Sequence, residues 1–347
     1  MMKYTIYPLF ILMLISSCHN QPVKEDDSQP VNEEDNQPEV ISVPRKSCNS
    51  IYYWKTTFSL SDKERKFLKE HRIERMYLRY FDVAGDYPEP NATIRFRDSI
   101  PPDMEFVPTV FIDNELFKQH DMSVYPEKIV NRILVMSETN DVLNIREVQI
   151  DCDWTKSTEL DFFRFLDAIR KLLSKHQIAL SVTVRLHQLS MEVPPADRGV
   201  LMCYNTGAVR NVNTSNSIIS SYEIAPYAGR LSCYNLPLDL AYPAFSWAVW
   251  FEDNNFKALL RNLEPTHENL KYTNRNYFRV MDGFYQEGHY LSKWDKVRFE
   301  FSYFNEIMKT KKLLEHQLKN FSIILYHLDE NNLSKFTRHE IDKIYTH

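Results

Sequence analysis

Glycine is scarce in this sequence of 347 residues. Average usage of about 7% would give roughly 24 glycines in a chain of this length. The sequence has six, at Gly85, Gly199, Gly207, Gly229, Gly283 and Gly288. They complete neither G-x-G-x-x-G nor G-x-x-x-x-G-K-[ST], the patterns whose backbone amides hold phosphate groups. The sequence therefore argues against dinucleotide-binding and P-loop chemistry.

The chain also lacks a basic excess. It has 42 Lys and Arg residues against 47 Asp and Glu residues, a formal net charge of −5. Residues 1–40 contain two lysines and seven carboxylates, so the remaining chain is neutral. Binding to nucleic acid needs excess Lys and Arg to displace counterions from phosphates. We therefore expect no nucleic-acid partner.

Cysteine is rare as well. Beyond Cys18, four cysteines are present, Cys48, Cys152, Cys203 and Cys233, and their spacing matches no zinc pattern. An exported chain could pair them as disulfides. Three lie within or beside predicted strands, where a buried free cysteine behaves as a small hydrophobic residue, so free thiols are favoured over a disulfide framework. No metal or cofactor is expected.

The N-terminus reads as a targeting segment. Lys3 precedes an apolar stretch, too short for a comfortable membrane span, that ends in Ile15-Ser16-Ser17-Cys18. This run resembles a bacterial lipobox, which implies lipidation of Cys18 and cleavage after residue 17. The prediction is a lipoprotein signal peptide over 1–18 and a membrane partner through the lipid on Cys18. An ordinary secretory peptide is the alternative.

An acidic, proline-rich linker follows over residues 19–46. It contains two near-copies of an octapeptide, QPVKEDDS at 21–28 and QPVNEEDN at 29–36. Such sequence has nothing to bury and is typical of an extended stalk. The acidic cluster behind Cys18 resembles the surface-export signal of Bacteroidetes-type lipoproteins, which implies an outer-membrane protein displayed at the cell surface. A plain solvated linker is the other interpretation.

The remainder, 47–347, alternates short β-rich runs with amphipathic helical stretches. Helices are clearest at 61–71, 126–139, 158–174 and 305–319, with Pro126 at a helix start and Ser157 as a candidate cap. Eight strand–helix units in about 300 residues predict a (β/α)₈ TIM barrel. A doubly wound open sheet is the alternative. The predicted strands are 51–58, 75–82, 106–112, 147–154, 179–187, 199–205, 238–247 and 321–328.

Polar residues at the strand ends are the candidate site, because barrel sites lie at the C-terminal ends of the strands. In the fourth predicted strand Gln149, Asp151 and Asp153 share one face, which puts the two carboxylates about 6–7 Å apart. Like charges that close raise one pKa and suit acid/base work. In the fifth, the polar set that alternates with apolar residues is Ser181, Thr183, Arg185 and His187. The alternatives are helix caps and a structural ion-pair network in which Arg185 and Arg79 neutralise the carboxylates.

These residues resemble the chitinase-like glycosidases of glycoside hydrolase family 18, and more closely a family of bacterial lipoproteins with a glycosidase-like barrel. Residues 265–304, rich in aromatic side chains, fall where many members carry a lid inserted between strand seven and its helix. The matching motifs occur in the family's order along the chain: Tyr53-Trp54, Asp151-Cys152-Asp153, Met202-Cys203-Tyr204-Asn205, Tyr242-Pro243-Ala244-Phe245 and Leu328-Asp329.

The resemblance implies a glycan partner and assigns roles to named residues. Asp151, Asp153 and Tyr204 are the catalytic candidates, with Asp153 as the acid and Asp151 tuning its pKa. A possible further partner is an outer-membrane glycan-uptake complex. The substrate-binding candidates are Trp54, Arg185, His187, Asn205, Tyr242, Trp247 and Asp329.

Two positions depart from the family pattern. Its D-x-D-x-E motif ends in the acid glutamate, but this chain has Thr155, whose hydroxyl cannot serve as a proton donor near neutral pH. Its S-x-G-G on strand three is replaced by Thr109-Val110-Phe111-Ile112. Three hypotheses follow: a hydrolase of N-acetylhexosamine-containing glycans, a lectin-like protein that has kept the cleft, or a structural surface barrel.

Overall fold

The computed structural model describes residues 46–346. The predicted signal peptide, the lipidated Cys18 and all of the predicted linker except Lys46 lie outside the described residues. Within 46–346, no helix is both long and apolar enough to cross a membrane.

Eighteen strands and eight α-helices make up the described chain. The strands are β1 (Asn49–Tyr53), β2 (Thr57–Phe58), β3 (Ile73–Val83), β4 (Pro90–Asn91), β5 (Arg95–Phe96), β6 (Glu105–Ile112), β7 (Glu147–Asp151), β8 (Ala179–Val184), β9 (Arg198–Met202), β10 (Leu238–Pro243), β11 (Ser246–Glu252), β12 (Asn255–Leu260), β13 (Leu270–Asn274), β14 (Tyr277–Val280), β15 (Phe284–Gln286), β16 (His289–Leu291), β17 (Lys296–Phe301) and β18 (Ile323–Tyr326). The helices are α1 (Asp62–Glu70), α2 (Leu116–Gln119), α3 (Tyr125–Thr139), α4 (Glu159–Ser174), α5 (Ser221–Ala228), α6 (Phe304–Leu314), α7 (Glu330–Leu333) and α8 (Arg338–Tyr345).

Eight parallel strands form a closed barrel. Their order is β1-β3-β6-β7-β8-β9-β10-β18, and β1 pairs with both β3 and β18, so the sheet has no free edge. Helices lie in five of the seven connections between successive barrel strands, as expected where parallel strands need crossovers. The β3–β6 connection has no helix, and the β8–β9 connection has only a 3₁₀ turn. The fold is a TIM barrel, which confirms the predicted fold class, and each barrel strand overlaps one of the eight predicted runs.

Side-chain alternation separates two layers of core. Tyr52, Val200 and Ala241 belong to a cluster inside the barrel, whereas their neighbours Tyr53 and Leu201 pack in the larger core beneath the helices. Because successive side chains of a strand point to opposite faces, each barrel strand contributes to both layers. The inner layer supports the mouth of the barrel from below.

Sequence signals mark some of the helix starts. Ser61 caps α1 in a reciprocal pair with Glu64, and Pro126 lies in the first turn of α3 as predicted. The predicted cap at Ser157 is wrong, because Thr158 is the residue at the start of α4 and the Ser157 hydroxyl instead contacts Thr155.

A separate sheet is inserted between β10 and α6. Its five strands are ordered β12-β11-β17-β14-β13, and β15 and β16 form an adjoining hairpin. The prediction placed this insertion at 265–304, but its first strand, β11, begins at Ser246 and pairs with β17. The predicted seventh barrel strand, 238–247, is correspondingly shorter and ends at Pro243. The insertion has its own small apolar core around Val280 and Val297.

Candidate functional site

A cleft of about 900 Å³ opens at the C-terminal mouth of the barrel. It is lined by residues at the ends of the barrel strands and by the first part of the insertion. This is the end of the barrel where TIM-barrel sites are built. The lining includes Trp54, Arg79, Asp82, Phe111, Asp151, Arg185, Tyr204, Asn205, Phe245, Trp247, Arg261, Tyr326, His327 and Asp329.

Asp151 is the buried carboxylate of the cleft. It is the last residue of β7 and only 6% exposed. Thr183 on the next strand donates a hydrogen bond of 2.7 Å to its Oδ1, and Arg185 Nη2 lies 3.4 Å from the same oxygen. Burial raises the pKa of Asp151 above its usual value, while the Arg185 cation and the Thr183 hydrogen bond act in the opposite direction. The net effect is a raised pKa, which is typical of carboxyl groups that transfer protons.

Asp153 occupies a different environment from Asp151. Because β7 ends at Asp151, the period-two alternation stops there, and the side chain of Asp153 is 59% exposed outside the cleft lining. Its Oδ1 pairs with Arg185 Nε. The two carboxylates therefore do not form the predicted inward-facing pair: Asp151 is buried, Asp153 is exposed, and both contact Arg185. This placement does not support Asp153 as the acid.

Thr155 lies farther along the same loop. It is exposed, and its hydroxyl is 3.0 Å from the Ser157 hydroxyl. Thr155 does not line the cleft, although it occupies the position of the acid glutamate in the family motif.

Aromatic side chains form the floor and one wall of the cleft. The rings of Tyr204 and Tyr326 are tilted by 31° with centroids 5.1 Å apart, and the Trp54 ring centroid lies 5.7 Å from that of Tyr326. Phe245 joins this floor to Trp247, whose centroid is 5.1 Å from that of Phe245. Offset and tilted aromatic contacts of this kind are favourable, and the rings present apolar faces to the cleft between polar groups.

Tyr204 combines the aromatic floor with the charged end of the cleft. Burial raises the pKa of its hydroxyl well above the usual value, with the neighbouring Tyr326 adding to the effect and Arg185 opposing it. The hydroxyl lies 3.0 Å from Met202 Sδ. Tyr204 is therefore a neutral hydrogen-bonding group at neutral pH.

Asn205 follows Tyr204 and lines the cleft in a left-handed backbone conformation with φ of 54°. Asparagine tolerates this conformation better than most residues. Its backbone N–H donates to Ile218 O over 2.7 Å, which fixes the start of the long loop after β9.

Arg79 and Asp82 form an ion pair on β3, two strands away from β7 around the mouth of the barrel. Arg79 Nε donates to Asp82 Oδ1 over 2.8 Å, and its guanidinium also lies 5.5 Å from the ring of Trp54. The hypothesis that Arg79 neutralises Asp151 and Asp153 is therefore wrong, because its carboxylate partner is Asp82. Sequence reasoning did not identify Asp82 as a site residue.

His327 is a second cleft residue without a predicted binding role. Burial lowers the pKa of its imidazole to about 4, so the ring is neutral near pH 7. Its Nδ1 is buried without a hydrogen-bond partner in the described chain. Asp329, two residues later, lines the cleft and accepts a hydrogen bond from the Asn332 backbone at the start of α7.

Two predicted binding residues lie away from the cleft. Tyr242 faces the helix layer, because Ala241 takes the inward position on β10, and its hydroxyl donates to Glu315. His187 is exposed on a 3₁₀ turn over Leu186–Ser190, because β8 ends at Val184 and the strand alternation does not extend to it. The structure brings together the other predicted binding residues: Trp54, Arg185, Asn205, Trp247 and Asp329.

The described cysteines form neither a disulfide nor a metal site. Cys48, Cys152 and Cys203 are buried free thiols, and Cys233 is an exposed free thiol. Within 46–346, no group of three or more His, Cys, Asp or Glu side chains is arranged to hold a metal ion.

Comparison with known proteins gives a fold likeness. No family model matches the sequence, and no curated protein matches it. The spore cortex-lytic enzyme SleL of Bacillus megaterium QM B1551 has a similar structure, with a TM-score of 0.52, 12% identity, and coverage of 88% of this chain and 75% of that one.

Two further similar structures cover 87% of this chain. One is the C-terminal domain of a putative chitinase from Desulfitobacterium hafniense DCB-2, with a TM-score of 0.54, 10% identity and 100% of that chain covered. The other is a chitinase from Chromobacterium violaceum ATCC 12472, with a TM-score of 0.53, 9% identity and 99% of that chain covered. At such low identity these likenesses establish the barrel fold only. The function has to be inferred from the residues of the cleft.

Proposed function

We propose that the barrel is a glycoside hydrolase that binds an oligosaccharide in the cleft and uses Asp151 as the proton donor. The observation that carries this proposal is the position of Asp151, a buried carboxyl group of raised pKa at the floor of an aromatic-lined cleft. A raised pKa keeps the carboxyl protonated closer to neutrality, which a general acid requires.

The rest of the cleft fits a sugar ligand. Trp54 and Trp247 provide flat apolar surfaces, and Asn205, Tyr204 and Asp329 provide hydrogen-bonding groups. Sugars have an apolar ring face and polar edges, so alternating aromatic and polar groups suit them. Two of the similar barrels are described as a chitinase and a putative chitinase, and we therefore propose N-acetylhexosamine-containing saccharides as the substrate class.

The experiment is a hydrolysis assay on chromogenic N-acetylglucosaminides and N-glycans, with glycan binding measured in parallel by calorimetry. We expect wild type to cleave at least one substrate and Asp151→Asn to be inactive while retaining binding. Asp98→Asn is the matched control, because Asp98 is an arginine-paired carboxylate outside the cleft lining. Loss of activity in both variants would contradict a specific role for Asp151.

A non-catalytic, lectin-like glycan-binding protein is the second candidate. The exposed position of Thr155 favours it, because no acid occupies the place that the family motif gives to glutamate. Equal inactivity of wild type and Asp151→Asn, with glycan binding intact, would select this function. If glycan arrays detect no binding, the structural surface-barrel hypothesis is preferred.

We also propose that the protein is lipid-anchored through Cys18 and displayed at the surface of the outer membrane, where it could serve a glycan-uptake complex. The lipobox-like run and the acidic stalk support this. Labelling with an alkyne fatty acid should modify wild type and leave Cys18→Ala unlabelled. Protease treatment of intact cells should remove the protein; complete protection would contradict surface display.

A further inference from the structure

Arg79 and Asp82 both face the cleft although they are three positions apart on one strand, with two residues between them. In a regular strand such residues point to opposite faces. The register of β3 against β6 shifts between Arg79 and Phe81, from Arg79 opposite Thr109 to Phe81 opposite Val110. This irregularity is of the β-bulge type, which re-aims side chains near functional sites. It places both Arg79 and Asp82 at the barrel mouth.

Asp82 lies in the same row as Asp151. It pairs in register with Phe111, and Phe111 pairs in register with Asp151. All three residues line the cleft. Two strand spacings put the Cα atoms of the two aspartates about 9–10 Å apart, and inward-pointing side chains of a curved sheet converge. The charge of Asp82 is also one of the causes that raise the pKa of Asp151.

Two carboxylates that enter one cleft from different strands suit one hydrolytic geometry. In inverting glycosidases an acid and a base face each other across the bond, about 6.5–9.5 Å apart, which leaves room for a water molecule. The chitinase-like glycosidases that this sequence resembles use an acid glutamate in their substrate-assisted mechanism. This chain has Thr155 at that position. Asp82 and Asp151 face one cleft from strands separated by a single intervening strand.

We infer that Asp82 is the second carboxylate of the site and acts as the general base of an inverting hydrolysis. The inference rests on the proposed function. Asp82 accepts a proton from a water molecule as the water oxygen bonds to the anomeric carbon. The anomeric C–O bond breaks, and Asp151 gives its proton to the leaving oxygen. The products are two hydroxyl-bearing sugars, and exchange with solvent restores the protons of both carboxyl groups.

A purely structural role for Asp82 makes different predictions. In that case its function is to hold Arg79 beside Trp54, and its removal would disturb binding without changing the stereochemistry of the reaction. Chemical rescue separates the two roles, because a small external nucleophile replaces the activated water of a base-deficient enzyme and does not restore a missing ion pair.

The first test needs no variant. The anomer released from a cleaved β-linked substrate is followed by proton NMR at early times, and inversion gives the α-anomer first. Release of the β-anomer would overturn the inference while leaving the proposed function intact. If wild type cleaves no substrate, the proposed function and the inference both fail.

The second test uses Asp82→Ala with and without sodium azide. We expect kcat to fall about 100-fold or more, the range for loss of a general base, and azide to restore turnover by forming the α-glycosyl azide. Asp98→Ala, which removes the carboxylate partner of Arg65 outside the cleft lining, should keep wild-type kcat and show no azide effect. Activity of Asp82→Ala within a few-fold of wild type, or no azide product, would overturn the inference. Thermal melting checks that each variant is folded.

Discussion

The insertion and the cleft each contain arginine–carboxylate pairs, but the two environments differ. In the insertion, Arg298 and Glu300 are both fully buried. Arg298 also donates to the carbonyls of Val209 and Asn211, and Glu300 accepts from the Ser217 backbone and hydroxyl and from Trp247 Nε1. This buried pair has hydrogen-bond partners on both sides.

The cleft pairs are arranged differently. Arg185 spans a buried and an exposed carboxylate, and Arg79 and Asp82 border open space. Among the residues that line the cleft, His327 has an Nδ1 that is buried without a hydrogen-bond partner in the described chain. A network with all groups paired rigidifies a fold, whereas incompletely paired groups around a cavity are candidates for ligand contact. The insertion pair is therefore structural, whereas the cleft pairs lie where a ligand can contact them.

The two regions are physically connected. The ring of Trp247 lines the cleft, while its indole N–H donates to Glu300 over 2.8 Å. The buried pair also holds the loop after β9, which begins with Asn205. The insertion thus positions one wall of the cleft, while Asp151 and Asp82 belong to barrel strands.

Glu300→Ala should have the largest effect on stability. Removing one partner leaves the Arg298 cation buried and unpaired, which costs about 3–5 kcal/mol. Urea unfolding should show this loss, whereas Glu252→Ala, which removes a carboxylate from an exposed pair with Lys257, should change stability by less than about 1 kcal/mol. Equal small losses in the two variants would remove the contrast between the insertion and the surface.

His327 should make stability depend on pH. Burial lowers its folded pKa to about 4, below the unfolded value of about 6.5. As the pH falls, the unfolded state therefore binds the proton before the folded state does. The contribution of His327 to the free energy of unfolding is fully present above about pH 6.5 and is lost as the pH falls toward 4. Allowing for the partial exposure of the ring, we expect the free energy of unfolding to fall by about 2 kcal/mol over this pH range. Unfolding free energies of wild type and His327→Gln between pH 7 and 4 test this, with the exposed His316→Gln as control; parallel curves would contradict it.

Trp247→Ala should weaken glycan binding about tenfold, or about 1.4 kcal/mol, through loss of an aromatic stacking surface. Trp294→Ala is the matched control, because Trp294 is 58% exposed on the insertion and outside the cleft lining. Calorimetry with an N-acetylglucosamine tetramer measures both. A larger loss in Trp294→Ala would move the binding surface from the cleft to the outer face of the insertion.

Arg185→Gln should produce the smallest and most specific change, a shift in pH dependence. The Arg185 cation opposes the rise of the Asp151 pKa, so its removal should raise that pKa further. A general acid works in its protonated form, so the alkaline limb of the kcat profile should move to higher pH. An unchanged or acid-shifted limb would argue against Asp151 as the acid.

The fold could be predicted from the sequence because its signals are local and repeated. Each barrel strand is a short β-rich run, and amphipathic helices follow most of them. The start of the insertion was missed because Ala244, Phe245 and Trp247 continue the apolar character of β10. Only the pairing of β11 with β17, which lie about 50 residues apart in the chain, separates the two strands.

Strand alternation predicted the position of Asp151 but failed for other residues, including Tyr242, which lies within β10 and faces the helix layer. Asp151 lies within β7 and was placed correctly at the barrel mouth, whereas Asp153 and His187 lie beyond strand ends. Asp82 was missed because the register shift near Tyr80 reverses the expected face. A bulge depends on pairing with the neighbouring strand, so period-two reasoning along one strand does not reveal it.

The most direct test of the central claim is a crystal structure of Asp151→Asn with an N-acetylglucosamine tetramer. The account predicts sugar rings between Trp54 and Trp247, with a glycosidic oxygen within hydrogen-bonding distance of residue 151 and Asp82 on the opposite side of that bond. A tetramer bound elsewhere, or a cleft left empty at saturating ligand, would contradict it.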